Sequence, residues 1–157
     1  MRNRRVPRCF LISLALCLLL FAGAVSGCFP TGDSLGALVV SEVVSSNARS
    51  LRHEQLGSPD WIELYNGTGK AVNLSGYGLS DNIRDPHKWV FPDVVIQPGE
   101  YLLVYAARYD NAEAEGLLCT GFKLSKSGET LLLTDQYYNI ISEVTLPRLR
   151  EDVSYAM

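Results

Sequence analysis

The sequence has few of the residues that build disulfide frameworks or zinc sites, with four cysteines and two histidines among 157 residues. Cys9 and Cys17 lie in the N-terminal segment and a third cysteine, Cys28, follows it, so Cys119 stands alone in the body of the chain. This distribution excludes an internal disulfide framework there. His53 and His87 lie in different predicted loops without a Cys or His at ligand spacing, which argues against zinc.

Motifs of common enzyme classes are also missing. The chain has no glycine-rich phosphate loop ending in Lys-Ser or Lys-Thr and no His-Glu-x-x-His motif. Glu42 and Glu63 interrupt apolar strand patterns, as a glycosidase pair would, but no other part of such a site is evident. Cys119 has no histidine near it in sequence, which favours a buried small residue over a nucleophile. We therefore predict no catalytic residue, metal or cofactor.

The N-terminus has the pattern of an export signal. Four arginines and no acid occur in the first eight residues, and an apolar run without charge follows over residues 10–24. A retained transmembrane helix is the alternative. The run is shorter than the roughly 20 apolar residues that spanning requires, and it ends in small residues, so we favour cleavage.

The end of this run, Val25-Ser26-Gly27-Cys28, resembles the lipobox of bacterial lipoproteins. The resemblance implies a diacylglycerol thioether on Cys28, and two acyl chains give stable anchoring where one gives only marginal binding. The alternative is a plain secretory site and a secreted protein. We predict a lipoprotein signal peptide at residues 1–27, a tether at 28–36, and an extracytoplasmic, membrane-anchored protein.

The mature chain is acidic. Without the four signal arginines, 10 basic and 17 acidic side chains remain, a formal charge of −7. Nucleic-acid binding rests on clustered Lys and Arg, so a nucleic-acid partner is not expected. The roughly 130 residues that remain are enough for one domain.

The periodicity beyond the tether is that of strands. Alternating or β-branched runs are separated by Gly, Pro and Asn at turns. The runs cover residues 38–44, 61–65, 101–105, 130–134 and 140–144. The only candidate helix covers residues 106–118, where Ala and Glu are common. Many short strands indicate a sandwich or a barrel.

Seven segments in order resemble the lamin tail domain of bacterial secreted proteins, among them DWIELYN at 60–66 and VNLSGYGLSD at 72–81. The others cover residues 39–44, 88–92, 96–102, 121–129 and 152–155. The resemblance implies an all-β, immunoglobulin-like β-sandwich over residues 37–157, preceded by the signal helix and the short linker. Members of the family usually continue past the last segment, so we expect that the final strand is missing or that the chain is a fragment.

The resemblance also implies structural roles for several residues. We expect these at Glu42, Trp61, Glu63, Asn66, Gly76, Trp89, Phe122 and Gly128. The two glutamates would accept hydrogen bonds from loop backbone groups near strand ends. The aromatic residues would fill the space between the sheets, and the alternative for them is a sugar-binding platform. The aromatic residues that we expect between the sheets are Trp61, Tyr65, Trp89, Phe91 and Phe122.

Two loops carry candidate surface residues. Tyr137, Tyr138 and Asn139 lie in a predicted hairpin turn, where exposed aromatic residues favour a contact surface. A second loop brings together side-chain oxygen atoms that could be calcium ligands, from Ser80, Asp81, Asn82 and Asp85. The same residues form turns for local reasons, and the spacing lacks the glycine and distal glutamate of a calcium-binding helix-loop-helix, so we favour the turn.

These observations predict a non-catalytic, membrane-anchored binding or scaffold module whose partner is a protein or an envelope polymer. One alternative is the N-terminal accessory domain of a longer secreted enzyme, of the spore-coat-kinase-like, nuclease or phosphatase kind. A weaker alternative is a nucleic-acid-binding module. Fold resemblance does not identify the ligand.

Overall fold

A computed structural model describes residues 36–157, which form strands, turns and loops without a helix. The predicted signal, Cys28 and most of the tether lie outside the described residues. Because residues 36–157 contain no helix, this part of the chain has no candidate membrane-spanning helix. The ten strands are β1 (Leu38–Val44), β2 (Asp60–Asn66), β3 (Val72–Asn73), β4 (Gly78–Ser80), β5 (Trp89–Val90), β6 (Val95–Ile96), β7 (Tyr101–Ala106), β8 (Glu129–Thr134), β9 (Ile140–Leu146) and β10 (Tyr155–Ala156).

Two four-stranded sheets form an immunoglobulin-like β-sandwich. The first sheet has the order β10-β1-β2-β7 and the second has the order β5-β4-β8-β9, while β3 and β6 form a separate pair. All these strand pairs are antiparallel. The all-β sandwich predicted from the strand pattern and the family resemblance is therefore confirmed.

The core lies between the two sheets and follows the period of two along each strand. Ile62 and Leu64 of β2 are fully buried, as are Leu131 and Leu133 of β8. They share one cluster with residues from both sheets and the connecting loops. The first sheet therefore turns its even-numbered β2 positions inward and its odd-numbered positions outward.

β1 joins the two sheets along one side of the sandwich. A bulge lies between Val40 and Glu42, where the register with β2 shifts. Beside it, the Val40 amide donates to Ser142 Oγ of β9 at 3.2 Å, a contact between the two sheets. The Met157 amide donates to the Ser41 carbonyl oxygen at 3.1 Å, so the C-terminal residues cover the edge of β1.

The helix predicted over residues 106–118 is wrong. β7 continues to Ala106, and the following residues form successive turns that end at Gly116, whose φ is 69°. The cause is a tertiary contact. Tyr105 donates its amide to the Leu118 carbonyl oxygen at 2.8 Å and accepts from the Thr120 amide at 3.0 Å, so the segment must return beside the edge of β7. Local helix propensity is weak compared with such pairing.

The five strands predicted from periodicity are confirmed, but the predicted aromatic core is right only in part. Phe91 and Phe122 are buried, and Trp89 is partly buried against the core. Trp61 and Tyr65 lie on the outer face of the first sheet, because the inward positions of β2 belong to Ile62 and Leu64. The core interpretation of these two side chains is therefore wrong.

Candidate functional site

Residues 135–139 connect β8 to β9. Asp135 and Asn139 pair with each other across a three-residue turn, and one residue of that turn has a left-handed backbone. The Tyr138 amide donates to the Asp135 carbonyl oxygen at 3.0 Å, and the Asp135 amide donates to the Asn139 carbonyl oxygen at 2.9 Å. Tyr138 has a φ of 69°, in the left-handed region. In hairpins of this length that position usually carries glycine. Residues 135–139 are called the hairpin tip below.

The side chain of Asp135 holds the hairpin tip in shape. Its Oδ1 accepts from the Tyr137 amide at 2.8 Å and from the Asn139 amide at 2.9 Å. Its Oδ2 accepts from Asn139 Nδ2 at 2.8 Å. These bonds, led by the side chain of Asn139, hold the pKa of Asp135 below its ordinary value of 3.8. The carboxylate is therefore ionised at neutral pH and braces the loop from within.

His87 supports the hairpin tip from a loop about fifty residues earlier in the chain. Its ring stacks on Tyr138 with a centroid distance of 3.8 Å and an interplanar angle of 9°. Its Nε2 donates to the Asp135 carbonyl oxygen at 3.0 Å. This approach needs Gly78, because a Cβ there would overlap the His87 ring, the Pro86 carbonyl oxygen and Thr134 Oγ1.

The hairpin tip presents a large aromatic surface to solvent. Tyr137 is 74% exposed and Tyr138 is 61% exposed. Ile140 and Ile141, which follow directly in β9, are also exposed. Adjacent exposed apolar residues mark interaction sites more often than isolated ones do. The sequence prediction of an exposed pair at a hairpin turn is confirmed, whereas His87 and Gly78 were not predicted as its support.

Comparison with known families agrees with this architecture. The family model described as Lamin Tail Domain matches residues 32–148, well over half of the chain. The chain belongs to the lamin tail domain family. No curated protein matches the chain. The lamin tail domain is an immunoglobulin-like module, which is consistent with a binding or scaffold role.

Asn66 has the structural role that lamin tail membership implies. The residue is fully buried, and its Nδ2 donates to the carbonyl oxygens of Lys70 and Ile96, both at 2.8 Å. Its Oδ1 accepts from the Thr68 amide at 3.0 Å and from Thr68 Oγ1 at 2.6 Å. Asn66 therefore ties the turn after β2 to the end of β6.

Two glycines of the lamin tail pattern also have clear local causes. Gly76 and Gly128 both have positive φ, at 81° and 96°. A Cβ at Gly128 would overlap the Leu146 carbonyl oxygen and lie 3.0 Å from the Pro147 carbonyl carbon. Both positions therefore require glycine for conformation, and Gly128 requires it for space as well.

Glu42 and Glu63 lie opposite each other in neighbouring strands, on the outer face of the first sheet. Glu63 Oε1 accepts from Ser41 Oγ at 2.8 Å. Within residues 36–157 neither accepts a hydrogen bond from a loop amide, so the predicted loop-fixing role is wrong for these two. Both glutamates lie within strands and therefore do not reach loop backbone groups. Two other carboxylates accept hydrogen bonds from loop amides. Glu129 accepts from the Ser125 amide at 2.7 Å, and Asp152 accepts from three amides.

The loop proposed as a calcium site uses its oxygens locally. Asp81 forms an ion pair with Lys88, with Oδ1 and Oδ2 at 2.6 and 3.0 Å from Nζ. Asn82 Oδ1 accepts from the Arg84 amide at 3.0 Å, which is a turn contact, and Asp85 contributes its carbonyl oxygen to Ser80 Oγ at 2.6 Å. Among residues 36–157, no group of three or more potential ligands is placed to hold a metal ion.

A cleft of about 510 Å³ at the same end of the sandwich has charges of both signs. It is lined by Asp81, Lys88, Arg108, Phe122 and Lys123. Lys88 Nζ lies 4.9 Å from the Phe122 ring centroid, and Arg108 Nε donates to the Gly121 carbonyl oxygen at 3.0 Å. Because Lys88 and Arg108 are already engaged, this cleft is not a continuous basic surface of the kind that tracks a phosphate backbone.

Two reactive-residue patterns remain. Cys119 is buried and free, as predicted, and burial raises the pKa of its thiol.

A hydrolase-elbow spacing that sequence reasoning missed, Gly-x-Ser-x-Gly, occurs at Gly32-Asp33-Ser34-Leu35-Gly36. Such an elbow leads from a strand into a helix, whereas β1 begins two residues after Gly36. The following strand argues against an elbow.

Proposed function

We propose that this lamin tail domain is a non-catalytic binding module held at the outer surface of a bacterial membrane by lipid on Cys28. The hairpin tip is its contact surface, and the partner is a protein or an envelope polymer. The tether at residues 28–36 would give the domain reach from the membrane.

The observation that carries the binding proposal is the conformation of Tyr138. A bulky side chain at positive φ costs of order 1 kcal/mol or more and persists only where the surroundings enforce it. Here the His87 ring and the Asp135 carboxylate enforce it, and the result is an exposed tyrosine pair on a braced backbone, with the Tyr138 ring held against His87. Rigid aromatic residues lose little entropy on binding, which favours a contact role.

Cosedimentation with purified cell-wall polymer tests the contact surface. We expect the mature domain to sediment with the polymer, and a Tyr137→Ala, Tyr138→Gly double variant to lose about tenfold or more in affinity, as for a binding hot spot. Tyr101→Ala is the matched control, because Tyr101 is equally exposed at 61% but lies on the first sheet. Equal losses in both variants would refute a specific role for the hairpin tip. If the polymer is not bound, the same three proteins are tested by crosslinking against intact cells.

Metabolic labelling with a fatty-acid analogue tests the anchor. The basic start, the apolar run and Cys28 support lipidation, so the wild-type protein should carry label and partition with membranes. Cys28→Ala should carry none and be released. An unlabelled wild-type protein, or a labelled Cys28→Ala variant, would contradict the anchoring half of the proposal and leave the hairpin experiment unaffected.

A further inference from the structure

A groove of about 720 Å³ opens beside β5, between that strand and the loop at residues 107–119. This groove is distinct from the hairpin tip, since no residue of 135–139 lines it. Its walls are largely apolar, and they include Trp89, Val90, Val94, Leu102, Leu117 and Leu118. Several of these side chains are only partly buried. The groove is therefore an apolar surface that the fold itself leaves unfilled.

One wall of the groove is a sheet edge with free backbone groups. The Phe91 amide donates to the Tyr77 carbonyl oxygen at 2.9 Å, and Trp89 is paired with Leu79. In an antiparallel ladder the residue between two such positions directs its amide and carbonyl away from the partner strand. Val90 is that residue, and it lies at the edge of the second sheet with its side chain 45% exposed. Outside the β4–β5 pairing, Val90 makes no hydrogen bond to any residue of 36–157.

The rim of the groove is negatively charged. Asp93, Asp110 and Glu113 line it, and no lysine or arginine does. Asp93 accepts from Asn73 Nδ2 at 2.9 Å, but within residues 36–157 Asp110 and Glu113 have no ion-pair or side-chain hydrogen-bond partner. Unbalanced carboxylates around an apolar groove attract a cationic partner.

We propose that this groove binds an extended, cationic peptide segment of a partner protein as an added strand along β5. The peptide backbone pairs with Val90, an apolar side chain lies against Trp89 and Leu118, and lysine or arginine residues face Asp110 and Glu113. This is recognition by strand addition, in which backbone bonds give affinity and alternate side-chain pockets give specificity.

The short length of β5 limits how much the backbone contributes. The strand has two residues, and Pro92 beyond it has no amide hydrogen. A short edge with a proline also protects a sheet from indiscriminate pairing. Recognition therefore depends on the backbone pair at Val90 together with the apolar groove and the acidic rim, and removal of any one of these should weaken binding.

Tryptophan fluorescence gives a direct readout, since the chain has only two tryptophans and one of them lines the groove. Trp61→Phe leaves Trp89 as the single reporter, and in the described part of the chain, residues 36–157, Trp61 Nε1 has no hydrogen-bond partner to lose. The probe is the blocked peptide Lys-Thr-Val-Ile-Val-Lys. We expect a saturable change in Trp89 emission. A peptide with glutamate in place of both lysines, and a peptide methylated on alternate backbone nitrogens, should each bind at least about tenfold more weakly.

Two variants test the groove in the Trp61→Phe background. Val90→Pro removes the outward amide without removing a ladder bond, so its thermal midpoint should stay near that of the parent protein while the affinity falls about tenfold. Asp110→Lys with Glu113→Lys should weaken binding of the lysine peptide and strengthen binding of the glutamate peptide. Glu143→Lys, an exposed charge reversal on β9, is the control and should change affinity less than about twofold.

The proposal is overturned if Trp89 emission shows no saturable change, or if the methylated peptide or Val90→Pro binds as tightly as its parent. It is also overturned if the protein is a dimer in sedimentation that Val90→Pro dissociates, because the occupant is then a second copy of the chain. Binding of the lysine and glutamate peptides with equal affinity would remove the cationic specificity.

Discussion

Substitution at Tyr138 separates backbone strain from binding. The residue combines a left-handed backbone, with φ at 69°, and a ring stacked on His87 at 3.8 Å. Left-handed backbone costs a residue with a Cβ about 1–2 kcal/mol, and an aromatic pair stabilises by about 0.5–1.5 kcal/mol. Tyr138→Ala loses the stacked ring and keeps the strain, so it should lower the free energy of unfolding by about 1 kcal/mol.

Tyr138→Gly loses the same ring but releases the strain. Glycine also has more conformational freedom in the unfolded chain, which lowers the free energy of unfolding by about 0.4–1 kcal/mol relative to alanine. The glycine variant should therefore be more stable than the alanine variant by about 0.5–1 kcal/mol. Tyr137 lies next to it without a positive φ, so there the order should reverse and alanine should be the more stable.

Urea unfolding of the four single variants, followed by fluorescence at constant pH, measures these differences. Two variants at one position share their lost contacts, so the comparison between glycine and alanine isolates the backbone. If alanine is as stable as glycine at position 138, Tyr138 is not strained and the main support for the hairpin tip as a contact surface disappears. If the glycine variant is stable and still binds its partner fully, the ring has no contact role.

Three further predictions concern how the fold holds its loops. Asn66→Ala should lower the free energy of unfolding by about 2–3 kcal/mol in urea, because the buried Ile96 carbonyl oxygen loses its partner; the exposed Asn73→Ala is the control and should cost less than about 1 kcal/mol. Hydrogen bonds from the amides of Arg49, Ala48 and Ser50 hold the pKa of Asp152 below its ordinary 3.8, so the stabilisation is present above that pH and is lost as the pH falls through the folded-state pKa. Thermal midpoints measured from pH 6 to pH 2 should drop less steeply in Asp152→Asn. Gly78→Ala should displace His87 and break its stacking with Tyr138, and the ring chemical shifts of both residues in NMR should change. Gly69→Ala is the control and should leave these shifts unchanged, because a Cβ there meets nothing within 4 Å.

The sequence was sufficient for the strands because their information is local. A β-branched run identifies β1, and a period of two over about five residues identifies β2, β7, β8 and β9, in each case without reference to the rest of the chain. The same periodicity does not say which face is inward when both carry large apolar side chains. In β2 one face has Trp61 and Tyr65 and the other has Ile62 and Leu64, and the larger side chains were wrongly assigned to the core. The structure places the aliphatic pair inward, in one cluster with Leu131 and Leu133 of β8.

The candidate sites divide in the same way. The tyrosine pair of the hairpin tip was predictable, because its exposure follows from a turn between two strands. Its support was not, because His87 and Tyr138 meet only through the pairing of β4 with β8. The groove was not predictable either, since it forms between β5 and a loop that was expected to be helical. Signals that depend on long-range pairing are not visible in a single sequence.

Both proposed surfaces belong to the second sheet: the groove runs along its edge strand β5, and the hairpin tip connects β8 to its other outer strand, β9. In the first sheet, β10 covers the edge at β1, and residues 118–120 cover the edge of β7 through Tyr105. In the second sheet, β5 and β9 are the outer strands. β1 of the first sheet lies beside β9, whereas β5 has no further strand paired with it within residues 36–157. An uncovered edge offers backbone and side-chain groups that the fold does not use. Within residues 36–157 the domain therefore covers β1, β7 and β9 with its own chain and leaves the edge at β5 available for a partner strand. On this argument the two surfaces act independently, so Val90→Pro should weaken binding of the lysine peptide and leave cosedimentation with polymer unchanged, whereas Tyr137→Ala should weaken cosedimentation and leave peptide binding unchanged.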